Sequence, residues 1–470
     1  MLIGLDCADP RLVFDRWLDD LPNIKRVVEA GAHGPLRSAT PPITVPAWMS
    51  MMTSQDPGQL GLYGFRNRTD YSYTGMAVAN SASIKQRTVW DILGDANKNS
   101  IIIGVPPTFP PKPMRGDLIG CFMTPSIDQQ YTYPATLSSE VQKIAGEYLV
   151  DVKGFRTPKK EWLLEQIYQM TERRFKVAKH LLERRNWDFF AMVEMGVDRI
   201  HHGFWQFMDP EHVLYEPGSP FENAIYEYYK YVDRWVGELL AHADENTLIM
   251  IVSDHGAKRM DGAVCINEWL VQKGYLTLKS YPQTPTRFED LDVDWERTSA
   301  WGEGGYYGRV FINVKGREPN GVVRPEDYDS FRQKLVEELE ALGDENGRPI
   351  GTKVVKPEQT YTEVRNIPSD LVVFFGDLYW RSVGSVGTGS IHTRENDTGP
   401  DGANHDWNGI FIMASGREFA RGERRVDVPT AGLQLMDVSP TILNHFGMTP
   451  EPRMRGRIVP SRAVTPALAG

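Results

Sequence analysis

Cysteine is scarce: Cys7, Cys121 and Cys265 are the only three in 470 residues, and they are far apart and odd in number. That excludes a disulfide framework and a CxxC-type zinc ribbon, and it fits a reducing compartment. Long apolar runs are missing as well. The longest, such as LIMIVS and LVVFF, fall far short of the roughly 18 residues needed to cross a bilayer. The opening MLIGLDCADP has neither the basic segment nor the extended apolar stretch of a secretory signal. The expectation is a cytoplasmic protein with no membrane partner. Positive charge is not in excess either: a net charge of −10 and a pI near 5.6 argue against a duplex nucleic-acid partner, since gripping a phosphate backbone takes clustered Lys and Arg. No internal repeat, low-complexity tract or heptad pattern occurs.

What remains is the composition of an ordinary globular chain, 41% hydrophobic, 24% charged and 11% aromatic. Its length exceeds the roughly 250 to 300 residues that one core serves, so a large domain with a substantial insertion is expected. Short apolar runs read as buried strands: LIGL at 2–5, SIIIGV at 100–105, DFFAMVE at 188–194, TLIMIVS at 247–253 and GIFIMA at 409–414. Long amphipathic helices at 161–185 and 222–243 lie between them. This alternation predicts an α/β fold with a mostly parallel central sheet flanked by helices.

The texture changes over 262–390, with a strand pair around YYGRVFINV, a charged helix at 331–342 and a strand at 369–375, which reads as a smaller α+β insertion. The core is then 1–261 and 391–470. Within it, 106–160 is rich in Pro, Gly and Tyr, contains PPTFPPKP, and reads as an irregular loop or cap.

Open α/β sheets bind ligands at the carboxyl ends of their strands. Asp6 directly follows LIGL, with Asp9 three residues on; a strand-terminal Asp is a metal ligand or a cap. In EMGVDRIHHGFW, Asp198 and His202 stand at i and i+4, on one face of a helical turn where both reach one cation or each other, while His201 points elsewhere. In SDHG, Asp254 and His255 sit at the mouth of the most hydrophobic strand, and Gly256 lets the chain turn. Burying both calls for compensation, which a divalent ion supplies. His405, in a loop just ahead of GIFIMA, completes the set. Six residues at four strand ends make two half-sites: Asp6, Asp254 and His255 for one ion, and Asp198, His202 and His405 for another. Two ions roughly 4 Å apart clamp a displacement at phosphorus. Thr44, in ITVPAWM, reads both as a helix cap followed by proline and as a hydroxyl placed where a helix N-terminus holds an anion.

In this order, Asp6 after a strand, Thr44 before a Pro-containing helix start, DxxxH at 198–202, SDHG at 253–256 and His405, the chain resembles the alkaline phosphatase superfamily. Thr in place of Ser or formylglycine is similar to its type I phosphodiesterase and nucleotide pyrophosphatase branch. The resemblance implies an alkaline phosphatase-like core and Thr44 as both nucleophile and a further ligand of the Asp6 ion. It also implies two divalent ions, zinc by family habit, with manganese or iron compatible with the ligand types. The activity implied is hydrolysis of a small phosphate ester or diester, a phosphodiesterase first, through a phosphothreonine intermediate. Phosphomonoesterase and phosphomutase share the same metal core and are the alternatives, as is a protein that binds a phosphorylated ligand without turnover. All seven positions are filled, which favours catalysis, and no CxPxR-type segment supports a sulfatase.

One departure concerns the substrate. LGLYGFRNR has Leu60 and Phe65 where the nucleotide pyrophosphatases carry a His and a supporting Asn. Arg66, Asn67 or Arg68 are candidates to stand in, and Lys258 and Arg259 to meet an anionic substrate. Trp162, Trp269, Trp301, Tyr306 and Tyr307 read as core residues or as a stacking surface for a base or sugar. Oligomeric state is left open.

Overall fold

The computed structural model describes residues 1–422 and 430–460. Its centre is an eight-stranded sheet, ordered Ala32–Arg37, Asn408–Ser415, Leu248–Val252, Leu2–Leu5, Phe189–Glu194, Ser100–Ile103, Gly116–Ile119, Thr132–Tyr133. The five strands from Leu248–Val252 to Gly116–Ile119 are parallel to their neighbours within that run, and the remaining strands pair antiparallel. The strands LIGL, FFAMVE and LIMIV are buried at every residue, the pattern of strands covered on both faces. Helices Lys160–Arg184, Gly196–Met208 and Ala224–Leu240 pack together and present Leu163, Ile167, Phe175, Ile200 and Val232 to the core.

The stretch 106–160 differs from the irregular cap its composition suggests. Gly116–Ile119 extends the main sheet in parallel with Ser100–Ile103, Thr132–Tyr133 pairs beside it, and a helix follows at Leu137–Ala145. Only Leu118 and Ile119 of GDLI are fully buried. So short an apolar run carries no strand signal among the surrounding prolines and glycines.

Past Gly262 the chain builds a second apolar core around Ile266, Trp269, Trp301, Phe311, Leu335 and Leu371. An antiparallel sheet of Ala300–Glu303, Gly308–Ile312, Leu371–Phe374 and Lys353–Val355 and the helix Tyr328–Glu340 form it. A separate three-stranded sheet joins Trp380–Val383, Gly262–Cys265 and His392–Thr393, so pairing reaches beyond residue 390. Trp269 and Trp301 are thus core residues, whereas Trp162 lies exposed on the helix Lys160–Arg184. No helix among the described residues is long and apolar enough to cross a membrane.

Candidate active site

Register decides which residues meet. Leu5 lies opposite Glu194 and Gly4 opposite Val252, so the next residues of three neighbouring strands emerge side by side. They are Asp6, the start of the helix carrying Asp198 and His202, and Asp254 with His255. His405 arrives from far along the chain on Ala403–Asp406, which pairs antiparallel with Gly256–Arg259 and sets His405 against Ala257. Thr44 is the first residue of the helix Thr44–Thr53. Ile43 occupies the cap position and no side chain caps this helix, so the capping reading of Thr44 does not hold. Its hydroxyl instead lies 3.3 Å from His255 Nε2. All seven residues are buried.

Two groups form whose ligand atoms lie within 4.8 Å of one another: Asp198, His202 and His405, and Asp6, Asp198 and His255. Asp198 therefore stands between the groups rather than in one alone. Its Oδ1 is 3.2 Å from His202 Nε2 and 3.7 Å from His405 Nε2, while Arg199 holds Oδ2. Asp254 borders the Asp6 group, its Oδ2 3.2 Å from His255 Nε2. The His255 and His405 rings stack at 3.7 Å between centroids and join the two groups.

The other atom of each of these side chains is fixed from outside. His202 Nδ1 lies 2.7 Å from Asp401 Oδ1, His405 Nδ1 lies 2.9 Å from the Pro42 carbonyl and His255 Nδ1 lies 3.1 Å from the Gly256 carbonyl, so each ring turns Nε2 into the site. Trp48 Nε1 donates to Asp6 Oδ2 at 2.7 Å, and the Cys7 backbone N–H donates to Asp254 Oδ1 at 3.3 Å. Cys7 adopts a positive φ of 67° immediately after Asp6, a conformation rare for a residue with a side chain. The inward atoms Asp6 Oδ1, Asp198 Oδ1, His202 Nε2, Asp254 Oδ2 and His405 Nε2 are buried and make no hydrogen bond of their own. Buried polar atoms are ordinarily paired. Five orphans converging on one place, three of them carboxylate oxygens, fit divalent cations.

Burial and neighbouring charge set the protonation of these groups. Burial, reinforced by Asp198, holds the Asp6 carboxyl well above the usual carboxylate range, and burial with Asp6 does the same to Asp254. Burial opposes a charged Asp198 as well, yet His202 and Arg199 outweigh it and keep Asp198 well below the ordinary value. Burial lowers His255 to about 4 and pushes His405 well down, which leaves neutral imidazoles suited to ligation. Burial opposes charge on His202 too, but Asp401 and Asp198 raise it to about 9. Because Asp401 fixes the tautomer and tilt of His202, Asp401→Asn is expected to weaken metal affinity by about 10- to 100-fold. Competition of the purified variant against a zinc-chelating dye measures this, and unchanged affinity would reduce Asp401 to a partner of Arg156.

The site opens into a cavity of about 480 Å³ whose wall includes Thr44, Phe65, Arg66, Asp198, Arg199 and His405. Of the residues expected to meet substrate, Arg66 reaches it. Asn67 does not: its side chain closes a local turn, accepting from Tyr63 N at 2.7 Å and donating to Gly64 O at 2.9 Å. Lys258 does not either, because its ammonium is 3.1 Å from Asp406 and 3.0 Å from the Asp377 carbonyl, over the Tyr379 ring. Phe65 stands in the wall as the sequence spacing suggests, and Leu60 is buried in a short helix. Sequence reasoning missed Arg156, Arg199, Arg381 and Asp401. Arg199 adjoins Asp198 and was findable, but the other three sit in segments with no motif. Tyr306 proves to be part of the site, its ring 4.1 Å from that of His405.

A mostly parallel sheet with buried carboxylates and imidazoles gathered at its strand ends is the layout of the alkaline phosphatase-like α/β hydrolases, a class that cleaves phosphoric esters. The family is narrower. The model of the type I phosphodiesterase / nucleotide pyrophosphatase family matches residues 1–407, and the chain belongs to that family. Similar solved structures include phosphonoacetate hydrolase from Sinorhizobium meliloti 1021 in complex with phosphonoformate, at 15% identity and a TM-score of 0.60, with 93% of each chain covered. The same enzyme in complex with phosphonoacetate gives 16% identity and a TM-score of 0.58 over 93% of each chain. At that identity the likeness concerns the fold. No curated protein sequence matches.

Proposed function

We propose that the chain is a two-metal phosphodiesterase with Thr44 as its nucleophile. The observation that carries this reading is the set of five buried ligand atoms that make no hydrogen bond among the described residues and gather beside the Thr44 hydroxyl. Asp6, Asp254, His255 and Thr44 would hold one ion, and Asp198, His202 and His405 the other, Asp198 standing near both. The mixed nitrogen and oxygen donors favour zinc, with manganese or iron as substitutes. When bound, such ions draw negative charge onto phosphoryl oxygens and lower the pKa of hydroxyls beside them.

Thr44 Oγ1 attacks phosphorus in line, and its bond to phosphorus forms as the bond to the leaving ester oxygen breaks. With a diester the product is a phosphothreonine that still carries the retained alcohol, and the proton given up by Thr44 goes to the departing oxygen; water then cleaves the bond to Thr44, returning its hydroxyl and releasing a phosphate monoester. The first N–H groups of the helix Thr44–Thr53 lack helical acceptors and meet a developing oxyanion. Arg199, fixed by Asp151 at 2.8 Å through both Nε and Nη2, keeps Asp198 in place and presents positive charge to the cavity. The ester class is tested by comparing turnover of bis(p-nitrophenyl) phosphate, p-nitrophenyl phosphate and a nucleotide phenyl ester. The diesters are expected to react faster; a preference for the monoester by orders of magnitude would reject the phosphodiesterase reading.

A further inference from the structure

Arg381 is the exception among the arginines of the cavity wall that are withdrawn from solvent; Arg66 is exposed. Arg199 is held by Asp151 and Asp198, Arg156 by Asp401 and Tyr306, and Arg309 by Glu303. Arg381, on the strand Trp380–Val383 of the second unit, is 3% exposed, yet neither its Nε nor its Nη1 makes a hydrogen bond among the described residues. Its carboxylate contact is Asp401 Oδ2, 3.8 Å from Nη1. That carboxylate already serves His202 at 2.7 Å and Arg156 at 2.8 Å, so one acidic group is shared by three basic ones. Burial pulls the Arg381 pKa down, and Asp401 offsets this only in part. A guanidinium remains charged in a protein, and its unmet buried donors cost free energy until an anion meets them.

Its position says where that anion comes from. Arg381 lines the cavity that holds Thr44, Asp198 and His405, and also an adjoining cavity of about 650 Å³ walled by Tyr73, Phe288 and Trp295. It therefore lies in the wall common to the cavity beside Thr44 and a roomier one bordered by residues of the second apolar core. Asp401 links it to His202, and the Tyr306 ring lies against both. A planar fork of donors at such a point suits a carboxylate or phosphate oxygen pair.

We propose that Arg381, flanked by Arg156, binds a second anionic group on the substrate, so that the natural substrates are phosphoric esters carrying a carboxylate or another phosphate on the part beyond the scissile phosphorus. This rests on the phosphohydrolase reading of the Thr44 site and names the substrate class for it. The group is held while the ester bond breaks and leaves with the departing alcohol.

Calorimetric titration of the intact protein with three phosphonates tests it: propylphosphonate, phosphonopropionate, and ethylenediphosphonate. The native protein is expected to bind one of the two doubly anionic probes at least about tenfold more tightly than propylphosphonate, the effect of one charge-assisted contact. Preference for phosphonopropionate identifies a carboxylate, and preference for ethylenediphosphonate alone a phosphate. Arg381→Met should erase the preference and Arg381→Lys retain part of it, with the thermal melting curve of each variant as the check on folding. Equal affinities in the native protein, or a preference that survives Arg381→Met, overturn this inference alone. Failure of propylphosphonate to bind the native protein would overturn the reading of the Thr44 end and this inference with it.

Discussion

Replacing Thr44 by Ala is expected to lower kcat by at least about a thousandfold on every ester the protein cleaves, the scale seen when a covalent nucleophile is removed. Metal content should stay the same. The substitution deletes a hydroxyl and a methyl group from a residue that makes no cap, so the stability cost is on the order of 1 kcal/mol. Asp6, Asp254, His255, Asp198, His202 and His405 all remain. The measurement is single-turnover kinetics beside elemental analysis of the same preparation. Full activity in Thr44→Ala would sink the nucleophile assignment, and loss of activity with loss of metal would show Thr44 acting as a ligand alone. Trapping a phosphorylated Thr44 by acid quench of the native protein adds a positive signature that a purely structural role cannot produce.

Chelation carries the second large effect. Dialysis against EDTA should remove activity to background, and zinc or manganese should restore it. Stability should fall in the same experiment, for an identifiable reason. Asp6, Asp198 and Asp254 place three buried carboxylates together, and burial, reinforced by the neighbouring carboxylates, holds Asp6 and Asp254 well above the ordinary carboxylate range. A ligand present at a thousandfold over its Kd stabilises the fold by about 4 kcal/mol. With an unfolding entropy of about 2 cal/mol/K per residue, 470 residues give about 1 kcal/mol per degree, so each tightly bound ion should raise Tm by roughly 4 °C. A thermal scan with and without EDTA reads this directly. Identical melting curves would mean that the buried groups hold no ion, and the two-metal reading would fail.

Much of the core was legible because its signals are local. LIGL, FFAMVE and LIMIV are continuous apolar runs with no competing period, and the polar residues that follow them stand out by contrast. DxxxH and SDHG carry their geometry within five residues, so pairing Asp198 with His202, and Asp254 with His255, needed no knowledge of the fold. GDLI failed as a strand for the opposite reason: it owes its place in the sheet to pairing with Ser100–Ile103, and its sequence says little by itself. Asn67 and Lys258 had the right chemistry and neighbourhood, but side chains choose partners in three dimensions, and Gly64, Asp377 and Asp406 were nearer than the cavity.

The sequence by itself determined an α/β chain with carboxylates and imidazoles following its buried strands and a threonine at a helix start, because strand burial and short-range spacing are local properties of the polypeptide. The tertiary structure alone decided that Asp198 stands between the two groups, that Asp401 meets His202, and that Arg381 lines the cavity with its Nε and Nη1 making no hydrogen bond among the described residues. Such facts depend on residues as distant as His202 and Asp401, 199 positions apart, and only the register and pairing of strands bring such positions within reach of one another.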